Sequence, residues 1–81
     1  MKIDAKDLRN RYTYHPPFGD QATRYGTLRA AVHLLAVEIC SLTPPSREQS
    51  TALTKLDEVM FFANAAIARN EHPIPVSEVT A

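Results

Sequence analysis

The chain has 81 residues, nine Lys/Arg against nine Asp/Glu, 44% hydrophobic residues and one cysteine. That length holds at most one small domain, and a lone cysteine excludes an intrachain disulfide and fits a reducing compartment. A net charge of zero argues against duplex-DNA binding, which leans on many phosphate contacts.

Met1 and Lys2 lead into the charged run Asp4, Lys6, Asp7, so no signal peptide is read here. Residues 3–11 are expected to form a short helix, with Asp4 as its cap and Ile3, Ala5 and Leu8 as a weak apolar side. Residues 12–19, Tyr-Thr-Tyr-His-Pro-Pro-Phe-Gly, end it. Pro16 and Pro17 cannot continue a helix, and each biases its predecessor toward extended backbone.

Asp20 reads as the N-cap of a second helix over 20–42. Tyr25, Leu28, Val32, Leu35, Ile39 and Leu42 step by alternating threes and fours, the spacing of a helix–helix seam. Ala30, Leu34, Val37 and Cys40 widen that apolar arc. The stretch Ala30 to Leu42 is broken by His33 and Glu38 and is shorter than the roughly 20 residues of a bilayer span.

Thr43-Pro-Pro-Ser46 is a tight connector, and Ser46 with Gln49 predicts a capping box opening a third helix over 46–70. Leu53, Leu56, Met60, Ala63 and Ile67 form its seam. Ala52, Val59, Phe62 and Ala66 form a second stripe, which a two-helix hairpin has no use for and another chain could cover. Residues 71–81 have two prolines and no period, so an extended or mobile tail is expected. The expected fold class is therefore all-α: a short N-terminal helix plus an antiparallel two-helix hairpin, in one domain over 1–81, assembled as a homo-oligomer. Assembly replaces the staple that so small a scaffold otherwise takes from disulfides or metal.

Catalytic chemistry is not evident. His15, His33 and His72 lie too far apart in sequence for a metal-site spacing, and two glycines make no phosphate-cradling loop. Cys40, between Ile39 and Ser41 in mid-helix, reads as a small core residue, and His33 as a packed or half-exposed structural histidine. Lys55, Asp57 and Glu58 read as a solvated helix face. No metal or cofactor is expected.

The informative stretch is Arg11 to Asp20 with Arg24, Tyr25 and Arg29. Residues 1–29 hold six basic and three acidic side chains, residues 30–81 the reverse. Two prolines stiffen a loop bearing flat Tyr and His rings, at about 1–3 kcal/mol per stacked base. Flanking arginines offer planar donor forks to phosphate. This combination suits an anionic nucleotide. The simpler reading is that Tyr12, Tyr14 and Phe18 staple the loop over the hairpin's open end, with Arg69 serving the carbonyl end of its own helix.

Arg11-Tyr-Thr-Tyr-His-Pro-Pro, Arg24-Tyr25, Leu28-Arg29, Ser46-Arg-Glu, Ala52-Leu-Thr-Lys-Leu-Asp-Glu-Val-Met60 and Ala63-Asn-Ala-Ala-Ile-Ala-Arg-Asn70 together resemble the phage anti-CBASS sponge family. The helical hairpin is similar to the N-terminal part of phage anti-Thoeris sponges. The resemblance covers residues 8–70. It implies a homohexameric immune-evasion protein in the cytoplasm of the infected bacterial host. Such a protein sequesters cyclic oligonucleotide messengers without cleaving them and so blocks CBASS signalling.

The resemblance further implies cyclic dinucleotides such as cyclic GMP-AMP between paired protomers, and cyclic trinucleotides in separate pockets where three protomers meet. It places the base-stacking tyrosine on Tyr14 and the phosphate-facing cation on Arg29, where the family often has lysine. His15 and Arg11 are pocket neighbours by proximity. The trinucleotide pocket falls on Arg69 and a small hydroxyl residue, either Thr27 or the site occupied by Ala31. Neither duplex nucleic acid nor a membrane is implied as a partner. The alternative function is a helical protein–protein interaction module or an inhibitor of a host enzyme.

Overall fold

Aspartate, proline and serine punctuate this chain, and the helices fall between them. The computed structural model describes residues 3–73, so expectations for the tail beyond Pro73 lie outside the described residues. Helix α1 spans Ala5–Tyr12, α2 Gln21–Leu42 and α3 Arg47–Asn70. Among the described residues all regular structure is helical.

Asp4 caps α1 by accepting from the Asp7 N–H at 2.8 Å. Ser46 caps α3 in the same way, accepting from the Gln49 N–H at 3.1 Å. The expected capping box is only half made. The Gln49 side chain turns instead to the connector, donating to the Thr43 carbonyl at 3.0 Å and its hydroxyl at 3.1 Å, which fastens the turn between α2 and α3. Asp20 is also a correction. Its side chain makes no cap bond to α2 and instead accepts from Arg24 Nε at 3.1 Å. Its backbone, near the helical bridge region, does not hold the carboxylate over the first turn's N–H groups.

Helices α2 and α3 pack against each other. Leu56 is the one buried apolar residue among those described, with Leu28, Val32, Ile39, Leu53, Met60, Ala63 and Ile67 half-buried. Leu35 and Leu42, expected in the seam, are exposed, and Ala36 takes a half-buried place. The reason is geometric. A straight helix drifts about 20° per heptad against a 3.5-residue repeat, so Leu28, Leu35 and Leu42 roll progressively out of the contact.

Cys40 is exposed rather than part of the core, on the flank of the face that packs on α3, and His33 is exposed as well. Lys55 and Glu58 pair at 3.2 Å on a solvated face. The hairpin is long and thin, 58 × 31 × 17 Å, with a radius of gyration of 17.2 Å against about 11–12 Å for a compact domain of this size. By length and composition α2 as a whole is apolar enough to cross a membrane, whereas its stretch Ala30–Leu42 alone is shorter than a bilayer span. It carries Arg24, Arg29 and Glu38 and lies along amphipathic α3.

Candidate functional site

Two prolines keep residues 13–18 out of helix, and Gly19 then reverses the chain with φ +57°. That left-handed conformation costs an L-residue with a Cβ roughly 1 kcal/mol or more. The loop is pinned at both ends. His15 Nε2 donates to the Asn10 carbonyl at 2.7 Å, tying the loop to the end of α1. At the other end Phe18 N–H donates to Gln21 Oε1 at 3.1 Å, while Gln21 N–H donates to the Phe18 carbonyl at 3.1 Å.

Gln21 is the most buried polar residue, 2% exposed. Its amide also donates to Glu71 Oε1 at 3.2 Å. Arg24 grips the same carboxylate with Nη1 at 2.8 Å from Oε2 and Nη2 on Oε1. The bidentate pair with Arg24, and then the Gln21 amide, hold the Glu71 carboxyl down at about pKa 2. The Arg24 guanidinium is raised by its bonds to Glu71 and then to Asp20. The first residue of the expected loose tail is therefore anchored, and it clamps the end of α3 to the start of α2.

Helix α1 is tied to the same corner. Asn10 Nδ2 donates to the Arg69 carbonyl at 2.9 Å, and Arg69 Nη2 donates to the Arg11 carbonyl at 3.5 Å. Arg69 thus reaches the carbonyl end of α1 rather than only that of its own helix.

These ties enclose a cleft of about 550 Å³, open on its solvent side. The loop contributes Tyr14 and His15, and α1 contributes Arg11. Helix α2 supplies Tyr25 and Arg29, one turn apart and so on one face. Helix α3 supplies Asn64, Ala65, Ala68 and Arg69. Both stripes are i, i+4 pairs, and the two alanines give a shallow floor. The Arg29 guanidinium lies over Gly26, where an added Cβ would meet Nη2 at 3.7 Å. Three arginines and no carboxylate line the cleft, which makes it an anion site with aromatic walls.

The structure therefore brings Arg11, Tyr14, His15, Arg29 and Arg69 around one cleft in the protomer. It does not bring Thr27 there. Thr27 is two residues from both Tyr25 and Arg29, about 160° around the helix from each, and its hydroxyl donates to the Thr23 carbonyl at 3.0 Å. Sequence reasoning gives Asn64 no role at the site and places Tyr25 both in the seam and in the basic, aromatic stretch. Nor does it find the Gln21–Arg24–Glu71 clamp, whose partners lie 47 and 50 residues apart.

Among the described residues no three His, Cys, Asp or Glu stand together as a metal site. Cys40 is 11 residues along α2 from Arg29, roughly 16 Å at the helical rise.

The Acb2/Tad1 hairpin-domain family model matches residues 4–68, most of the chain and all three helices up to the last residues of α3. No curated protein and no solved structure matches it.

Proposed function

The chain belongs to the Acb2/Tad1 hairpin family, and from that premise we propose that it sequesters cyclic oligonucleotide second messengers without cleaving them, blocking CBASS signalling during phage infection. The observation that carries this reading is the cleft in which Tyr14, His15, Arg11, Arg29 and Arg69 converge. Its volume lies within the roughly 300–1,000 Å³ of small-molecule sites. Tyr14 is 80% exposed and free to stack on a base. Arg29 and Arg11 supply guanidinium forks for phosphate oxygens, and the prolines limit the entropy lost when the loop closes on ligand. A sponge needs tight binding and no turnover. The only cysteine stands along α2 away from the cleft, and the histidine at the cleft is committed through Nε2 to a backbone carbonyl.

The ligand is a cyclic dinucleotide such as cyclic GMP-AMP, held between two copies of the chain, with a cyclic trinucleotide as a second ligand at Arg69. Assembly is supported by what the protomer leaves uncovered. Leu34, Leu42, Phe61 and Phe62 are each more than 60% exposed. The apolar residues of α2 are spread around its circumference, a pattern that belongs to a buried helix. A homohexamer, as in the sponge family, covers such surface and closes the open side of the cleft.

The same exposed surface favours one other reading, a helical module that binds a host protein. Isothermal titration with cyclic GMP-AMP and with cyclic tri-adenylate, with the assembly mass measured in parallel, separates the two. Nanomolar binding, about −12 kcal/mol, at one dinucleotide per two chains supports sequestration. One trinucleotide per three chains adds the second site, since both ratios follow from closed symmetry. No heat with either ligand on a folded oligomer refutes sequestration and leaves the protein–protein module.

A further inference from the structure

One polar atom at the cleft has nothing to bond. Asn64 lies in α3 one turn after Met60, on the flank of the seam, and lines the cleft beside Ala65 and Ala68. Its carboxamide oxygen is buried from solvent and has no hydrogen-bond partner among the described residues. A buried acceptor without a partner opposes folding, and asparagine forms helix less readily than the alanines around it. An alanine would suit the protomer better at this position, so the fold by itself does not explain the asparagine.

We propose that Asn64 contacts the ligand and reads a base: rotation of its side chain carries the carboxamide, whose oxygen is closed to water in the free protomer, into the cleft, where that oxygen accepts a hydrogen bond from an N–H on the edge of a nucleobase seated against α3. This inference rests on the sequestration reading. Among the side chains that line the cleft, the Asn64 oxygen is the buried acceptor left without a partner. Arg11, Arg29 and Arg69 are donors only and attract phosphate oxygens, whereas Tyr14 and Tyr25 present ring faces. A phosphate oxygen cannot bond to the Asn64 oxygen, because both are acceptors. A base edge bearing an N–H can, and a ring without that donor would leave the asparagine unpaired in the complex as well. The arginines thus select the anionic backbone, and Asn64 selects what the backbone carries.

The test titrates the protein and its Asn64→Ala variant with cyclic GMP-AMP. A second ligand is the analogue in which both bases are unsubstituted purine, which has no N–H on its pairing edge. Free wild type and variant are also compared by thermal unfolding and by mass. Wild type should bind cyclic GMP-AMP about tenfold or more tightly than the analogue. Asn64→Ala should lose about that factor for cyclic GMP-AMP and should bind the two ligands alike. The free variant should melt at the same temperature as wild type or higher, as an intact oligomer. Equal affinity of wild type and variant for cyclic GMP-AMP overturns the inference and leaves sequestration standing. So does a variant that melts lower or dissociates, because the asparagine is then structural. Wild type that binds neither ligand overturns the sequestration reading, and the inference falls with it.

Discussion

Tyr14→Ala is the perturbation that separates ligand chemistry from fold at this site. The side chain is 80% exposed, so truncating it removes little buried surface and should change stability by no more than about 0.5 kcal/mol. In the proposed complex each Tyr14 stacks on one base, at about 1–3 kcal/mol. In that complex two copies of the chain flank one cyclic dinucleotide, so the variant should lose about 2–6 kcal/mol, a weakening between roughly thirtyfold and 10⁴-fold. Isothermal titration with cyclic GMP-AMP reads the affinity, and thermal unfolding of the free protein reads the fold. Tyr14→Phe keeps the ring and should bind within about threefold of wild type, since stacking needs the face and not the hydroxyl. An alanine variant that binds like wild type refutes the stacking role. A fall in melting temperature that accompanies the affinity loss makes Tyr14 a staple of the loop instead.

Three further outcomes follow from the clamp and the turn. Gln21→Ala strips the Phe18 N–H of its side-chain acceptor and removes the bond to Glu71; it should cost about 1–3 kcal/mol in chemical denaturation and weaken ligand binding by loosening the loop. The Glu71 carboxyl is held down from its ordinary 4.5 to about 2, so the folded state binds its proton less readily than the unfolded state. The stabilisation is therefore complete above about pH 4.5 and is lost as pH falls toward 2. Glu71→Gln should flatten that part of a stability–pH profile, and an unchanged profile would refute the clamp. Gly19→Ala forces a Cβ into φ +57° and should lower stability by about 1 kcal/mol although nothing lies within 4 Å to clash, as measured by urea unfolding.

Much of this molecule was legible in one dimension. Asp4 and Ser46 are followed three residues later by the N–H groups they cap, because capping is local. Pro16, Pro17, Pro44 and Pro45 forbid helix where the chain breaks it. Apolar periods over residues 25–42 and 53–67 predict two long helices, and they are there. Which way a face points was not legible. A list of threes and fours does not say how far the stripe rolls around the axis, so Leu35 and Leu42 fit the spacing of a seam that in fact takes Ala36.

The loop that carries Tyr14 and His15 announced its chemistry through its composition: aromatic rings and prolines between arginines. The cleft itself needed the third dimension. Arg69 meets α1 across 58 and 59 residues of sequence, because the connector after Leu42 sends α3 back antiparallel and sets its last turn beside the first turns of α2. Glu71 then closes that corner on Gln21 and Arg24. Sequence determines these partners through local helix and turn preferences, which act over three or four residues. Only the folded hairpin decides which of them meet, because side-chain hydrogen bonds are short and form where the two helix ends come within reach of each other.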